Sequence, residues 1–374
     1  MTDPRMSRLA ELLVNYSVSV KPGEKVYIST QAIEPEMDCE LIRQVVRAGG
    51  IPFHHLTNGR INRQLALVAS KERMELLREA DLAMMKQMDC FIAIRGADND
   101  QEGSDVPNDK KTIVAKYYGS DVQNERVNNT KWVVLRWPTP SMAQRAGMST
   151  EAFEDFYFDV CTLDYARLAE AEEVLRQRMD KADKVRLVGP GETDLSFSIK
   201  GIPAVSCFGD RNIPDGEVFT APVRDSVNGV IRYNAPTCYE GKEFDHVRFE
   251  IRDGRIVDAT GSDPDGINFI LDKDPGARYF GEFSLGVNPF IKKPMRDILF
   301  DEKISGSIHL TPGRAYEDAP NGNDSLVHWD LVMIQTPEYG GGEIWFDDEL
   351  IRRDGLFVPD YLQPLNPDAF AKEF

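Results

Sequence analysis

Along the first half of the chain, apolar positions switch repeatedly between short continuous runs and helical spacing. Gly23 and Glu24 open an apolar run at residues 25–29 (KVYIS). Pro35 then starts a segment in which Leu41, Ile42, Val45 and Val46 share one helical face until Gly49 and Gly50 end it. Residues 51–56 read as the next strand, and a long helical pattern, broken at most once, covers about 61–88. Residues 89–95 (DCFIAIR) and 132–136 have the character of buried strands. This alternation predicts a parallel sheet with helices on its faces.

A charged amphipathic helix is predicted over 163–183, with Leu168, Ala171, Leu175 and Met179 on its apolar stripe. After it the texture changes to short strands and tight turns. Residues 246–261 form a hairpin signal, with Asp253-Gly254 between two alternating runs. Residues 343–358 read as strands again, with Asp354-Gly355 as turn chemistry. A chain of 374 residues exceeds the size at which one core stops growing, about 250–300 residues. The expected organisation is an N-terminal α/β domain over 1–183, a parallel sheet with flanking helices. A β-rich α+β domain over 184–374 follows and carries the candidate chemistry.

Charge narrows the classes of partner. The 44 basic residues stand against 62 acidic ones, for a net charge of −18, a field that repels nucleic acid and anionic lipid. The surplus is uneven: 24 basic and 29 acidic residues lie before residue 184, and 20 and 33 lie from there on. Most of these acids are expected on a solvated surface. No run approaches 18 apolar residues, so no membrane span is expected. The first residues (MTDPRMSRLAELL) show neither the apolar core nor the cleavage site of a secretory signal. Five scattered cysteines without a CxxC pair point to reduced thiols and a cytoplasmic protein, and away from a zinc knuckle.

The five histidines divide into two groups. His54 and His55 are neighbours in a strand and point to opposite faces, so they read as structural, and His246 reads as a surface residue at a hairpin start. His309 and His328 lie in apolar surroundings. SLVHWDLVMI (325–334) reads as a strand whose period of two puts Leu326, His328, Asp330 and Val332 on one face. An imidazole and a carboxylate in so apolar a run need a partner, either a metal ion or each other. His309 ends a short strand before a Pro-Gly turn and Tyr316, Glu282 sits among apolar residues and glycines, and Glu217 follows the Asp215-Gly216 turn. Two imidazoles and three carboxylates suit one or two divalent ions in a hydrolytic site. GPGETD (189–194) lies between two strand patterns with no helix after it, so it is not read as a dinucleotide loop, and HExxH is absent. The glycines after Tyr339 read as a turn rather than a phosphate cradle.

At these residues the chain resembles the thermophilic-aminopeptidase family of metallopeptidases, which includes aminopeptidases T and S. The resemblance runs over most of the chain. It is carried by VKPGEKVYI, GPGETDLSFSIKG (189–201), IPDGEVFTAPVRDSVNG (213–229), GARYFGEFSLGVNP (276–289), IHLTPGRAY (308–316) and SLVHWDLVMI (325–334). It implies an aminopeptidase with two divalent ions (Zn, Co or Mn) bound by Glu217, Glu282, His309, His328 and Asp330, with Tyr316 as a catalytic residue. It also implies a homodimer acting on short peptides. The chain is somewhat shorter than typical members, the interval from His309 to His328 is compact, and the tail from Gly340 differs, which bears on substrate range. A second reading comes from ring-cleaving dihydroxypyridine dioxygenases, which resemble this fold and hold Fe(II) with two histidines and one aspartate. His309, His328 and Asp330 would supply that triad. Retention of both Glu217 and Glu282 favours the peptidase.

Overall fold

The computed structural model describes residues 3–370. The chain divides into two compact units: residues 1–163 together with 209–213, and residues 164–208 together with 214–374. The first unit is built on β1 (Lys25–Gln31), β2 (Ile51–Thr57), β3 (Cys90–Arg95) and β4 (Lys131–Arg136), in the order β2-β1-β3-β4, with the short strand Asn212–Ile213 at the far edge. Every pairing is parallel. The predicted parallel sheet with helices is thus present. β3 is buried along nearly its whole length, as its continuous apolar run requires.

Details of the helices depart from the periodicity. The segment opened by Pro35 is helical over Pro35–Arg47, but its buried stripe is Met37, Leu41 and Val45, while Val46 is exposed. Asp38, Glu40 and Gln44 are buried beside it, so the buried face is rotated from the predicted one and Val46 falls outside it. The pattern over 61–88 is two helices, Gly59–Leu67 and Lys71–Met85, because the Ser70 hydroxyl accepts from the Arg73 N–H and starts a new helix.

The second unit contains two large antiparallel sheets and a two-stranded antiparallel ribbon at 237–239 and 242–244. Eight strands run in the order 255–260, 248–252, 228–232, 194–198, 184–188, 343–346, 349–353 and 356–357. Both predicted Asp-Gly turns occur, with Asp253, Gly254, Asp354 and Gly355 all at positive φ. A five-stranded sheet runs 332–334, 307–312, 280–286, 217–220 and 205–207. Phe283 on this sheet meets Phe197 of the larger one edge to face, with ring centroids 5.0 Å apart. One face of the five-stranded sheet is therefore core.

The boundary expected at Asp183 is displaced. The helix Tyr165–Lys181 belongs to the second unit, where it packs on the strands Val205–Cys207 and Glu217–Thr220. Its predicted stripe, Leu168, Ala171, Leu175 and Met179, is fully or almost fully buried. The change of texture marks where strands come to dominate, whereas the unit boundary follows where that stripe finds its partners.

Candidate metal centre

The strand registers of the five-stranded sheet collect polar side chains on the face opposite Phe283. Glu282 pairs with Thr311, Ser284 with both His309 and Phe219, and Gly286 with Glu217. Cross-strand partners share a face and residues two apart along a strand do too, so Glu217, Glu282, Ser284, His309 and Thr311 face the same way. The expected strand 325–334 is regular only over Val332–Ile334. Its alternation nevertheless survives in the irregular backbone: Val327, Trp329 and Leu331 are buried, Leu326 is 86% exposed, and His328 and Asp330 lie between. Two glycines bring this segment in. A Cβ on Gly281 would collide with the Arg314 carbonyl, and one on Gly313, at φ 108°, would collide with the Val327 carbonyl.

All five ligand-type residues converge. The carboxylate of Glu282 lies between the two imidazoles, with Oε1 3.2 Å from His309 Nε2 and Oε2 3.2 Å from His328 Nε2. Glu217 Oε2 is 3.4 Å from His309 Nε2, and Asp330 Oδ1 is 3.3 Å from His328 Nε2. Two triads result, Glu217–Glu282–His309 and Glu282–His328–Asp330, and in each the possible ligand atoms lie within 4.8 Å of one another. Glu282 is common to both.

The donor set fits divalent cations. His328 Nδ1 donates to the Arg314 carbonyl at 2.8 Å, which fixes the ring and aims Nε2, buried and without a hydrogen-bond partner, at the carboxylates. The same Arg314 carbonyl is the one for which Gly281 makes room. The protein by itself answers the crowding of carboxylates with protons. Burial opposes charge on His309, but Glu217, Glu282 and Asp330 override it and push the imidazole up to about 10. Burial likewise opposes charge on His328, and Asp330 and Glu282 push it up to about 12. Against the same burial, His328, His309 and the Thr311 hydroxyl hold Asp330 well below the usual carboxylate range, and the two imidazoles hold Glu282 down too. A cluster that binds protons this strongly is one that a dication can occupy by displacing them.

Tyr316 lies beside this cluster. Its ring sits 4.7 Å from the His328 ring and 5.5 Å from Phe219, while 48% of the residue stays exposed. Withdrawal of its hydroxyl from water, together with Glu282 and Asp330, keeps the phenol protonated far above its ordinary range.

Several polar partners escaped the sequence reading. Ser284 Oγ donates to Glu217 Oε2 at 2.9 Å, and Thr311 Oγ1 donates to Asp330 Oδ1 at 2.7 Å. Both sit two residues from a candidate ligand on the same strand, so the period of two was a usable signal. Lys303 gave no such signal. Its side chain is 0% exposed, with Nζ 3.1 Å from Glu217 Oε1, 3.8 Å from Asp215 Oδ1 and in direct contact with Glu302. Burial works against its charge, but Glu217, Glu302 and Asp215 hold it protonated well above the normal lysine range. A third ligand-type group, Cys207–Asp215–Glu217, therefore already has a cation beside it.

The other histidines lie apart from this cluster, and His55 lines a cavity of the first unit. His54 Nε2 is 2.9 Å from Asp38 and 3.2 Å from Thr30 Oγ1, and His246 is exposed at the start of its hairpin. GPGETD is the connection between the strands Lys184–Val188 and Asp194–Ser198.

The chain is 25% identical to aminopeptidase 2 of Geobacillus stearothermophilus over 88% of its own length and 92% of the relative's. Its fold matches that of wild-type AmpT from Thermus thermophilus with a TM-score of 0.79 at 21% identity, covering 95% of this chain and 99% of that one. A 2,5-dihydroxypyridine dioxygenase from Pseudomonas putida matches more distantly, with a TM-score of 0.62 at 14% identity over 96% and 98% of the two chains. Residues 2–355 match the profile of the thermophilic metalloproteases (M29), and the chain belongs to that family.

Proposed function

We propose that this metalloprotease is an aminopeptidase that releases N-terminal residues from short peptides. One ion would be held by Glu217, Glu282 and His309 and a second by Glu282, His328 and Asp330. The observation that carries this reading is the position of Glu282, whose two oxygens face two different imidazoles at 3.2 Å each. A carboxylate shared between two ligand groups suits two adjacent cations. When bound, such a pair acidifies a water and polarises the scissile carbonyl. The protein's own groups do the rest. Ser284 and Thr311 orient Glu217 and Asp330 through their hydroxyl donors. Tyr316 keeps its proton and donates it as a hydrogen bond to the oxygen on which charge develops, a contribution of about 3 kcal/mol in comparable sites. The acid-rich surroundings favour a substrate with a free α-ammonium group, which fits removal of terminal residues.

The ions are zinc, cobalt or manganese in this reading. The working form is a cytoplasmic homodimer, a location that five free cysteines suit. The test is metal analysis of the purified protein combined with hydrolysis of aminoacyl p-nitroanilides. Two divalent ions per chain are expected, and His328→Ala should lose both metal and hydrolysis. A single tightly held iron with oxygen uptake on dihydroxypyridines would replace this reading with the dioxygenase one.

A further inference from the structure

The first unit holds a cavity of about 190 Å³ on one face of its parallel sheet, lined by residues of β1, β2 and β3 and by the helices Lys71–Met85 and Ser120–Asn129. Its position follows from topology. From β1 the chain goes to β2 on one side and later returns to place β3 on the other side of β1, so strand order reverses between β1 and β3. Open parallel sheets bind ligands at that reversal, toward the carboxyl ends of the strands. Arg95 is the last residue of β3 and pairs with Gln31, the last residue of β1.

Two guanidiniums face the cavity without an acid to answer them. Arg95 Nη1 donates to the Ser29 carbonyl at 2.7 Å. Arg126 lies over the Phe91 ring, 4.8 Å from its centroid, and its Nη2 donates to Gln123 Oε1. Its Nε is buried without a hydrogen-bond partner. Among the described residues neither arginine has an ion pair, although Arg5, Arg43, Arg63 and Arg78 of the same unit each have one. Asp81 is the one acid lining the cavity, and it accepts the Tyr118 hydroxyl at 2.7 Å. Burial, and then the charges of Arg126 and Arg136, push Arg95 below its ordinary range, and burial does the same to Arg126. In a chain with 62 acidic residues, two half-buried arginines left to repel one another are a cost that a bound anion would remove.

We propose that this cavity is a binding site for a small oxyanion, a carboxylate or a phosphate, clasped between Arg95 and Arg126 and walled by the stacked rings of Tyr27 and Phe91. Guanidinium forks match both anions bidentately. The volume sets the size of the ligand. About 150 Å³ accommodates benzene, whereas drug-sized ligands need about 300–1,000 Å³, so inorganic phosphate or a single-ring carboxylate fits. The rings of Tyr27 and Phe91, 5.9 Å apart and 7° from parallel, supply apolar lining for the latter.

The experiment is calorimetric titration of the metal-loaded full chain with sodium phosphate and, separately, sodium benzoate, at constant ionic strength. Saturable binding of at least one of the two is expected, and which one binds identifies the class. Arg95→Gln and Arg126→Gln should each weaken it by about 10–100-fold, the loss of a charge-assisted contact, with metal content unchanged. Thermal unfolding of the wild type supplies a check that does not depend on the variants: the binding anion should raise Tm above an equal ionic strength of chloride. No saturable heat and no Tm rise with either anion would overturn the proposal. So would binding that persists in both variants but disappears when the metal is removed, because the anion would then sit at the metal centre.

Discussion

Replacing Lys303 with Met tests how the candidate ligand Glu217 is held. The wild-type ammonium is 0% exposed, 3.1 Å from Glu217 and 3.8 Å from Asp215, and it also contacts Glu302. Removing it puts an apolar chain beside Glu217 and Asp215 where an ammonium stood, and leaves the protonated His309, 3.4 Å away, as the cationic neighbour of Glu217. Breaking a buried pair on one side costs about 3–5 kcal/mol, because the remaining charge is stranded rather than because the pair was strong. Glu302 contributes little to that cost, since burial already pushes its carboxyl up to about 8, where it takes a proton readily. The burden falls on Glu217 and Asp215. For a unit of this size each kcal/mol lowers Tm by about 2–4 °C, so the metal-free variant should melt about 6–20 °C below the metal-free wild type.

Metal changes that figure in a predictable direction. A dication held by Glu217 and His309 would put two charges beside that carboxylate in place of the imidazolium's one, so the gap between Lys303→Met and wild type should shrink when both proteins are loaded. Differential scanning calorimetry of the two proteins, each metal-free and loaded, gives the four transitions needed. Metal-free proteins that melt within about 2 °C of each other would refute the claim that the ammonium balances the cluster. A gap of equal size with and without metal would show that Lys303 fills space and does not act on Glu217.

The remaining predictions concern protons. Tyr316→Phe should retain the metals and lower kcat by about 10²-fold or more, and a change confined to KM would contradict its role as donor to the developing oxyanion. Because His309 and His328 are held protonated up to about 10 and about 12 without metal, loading at neutral pH should release about two protons per chain. Calorimetry in buffers of different ionisation enthalpy reads that number, and a value near zero would refute it. The same shifts give the metal-free protein a stability that is complete below the imidazoles' ordinary 6.5 and is lost as pH rises toward about 10–12. Its Tm should therefore fall from pH 7 to pH 10, and a metal-free Tm that holds or rises over that interval would sink the assignment.

How far the site could be read in the sequence depends on whether each residue's role is periodic or tertiary. His328 and Asp330 were found by a period of two, and their segment is an instructive case, because most of it is not strand. Extended backbone alternates side chains whether or not it has a ladder partner, so Val327, Trp329 and Leu331 still go inward while His328 and Asp330 face the carboxylates. Ser284 and Thr311 follow the same rule from Glu282 and His309. Lys303 does not: it enters from a turn beside the strand at 307–312, and nothing in the sequence around it says that an ammonium will be the counter-ion of Glu217. The boundary between the units was missed for a related reason. The stripe of the helix Tyr165–Lys181 was legible, but its partners, the strands at 205–207 and 217–220, lie far along the chain. Local pattern specifies which face of an element is buried and leaves open what buries it. The candidate ligands were therefore legible from strand alternation and resemblance, while the charge balance around them became visible only when the chain was folded.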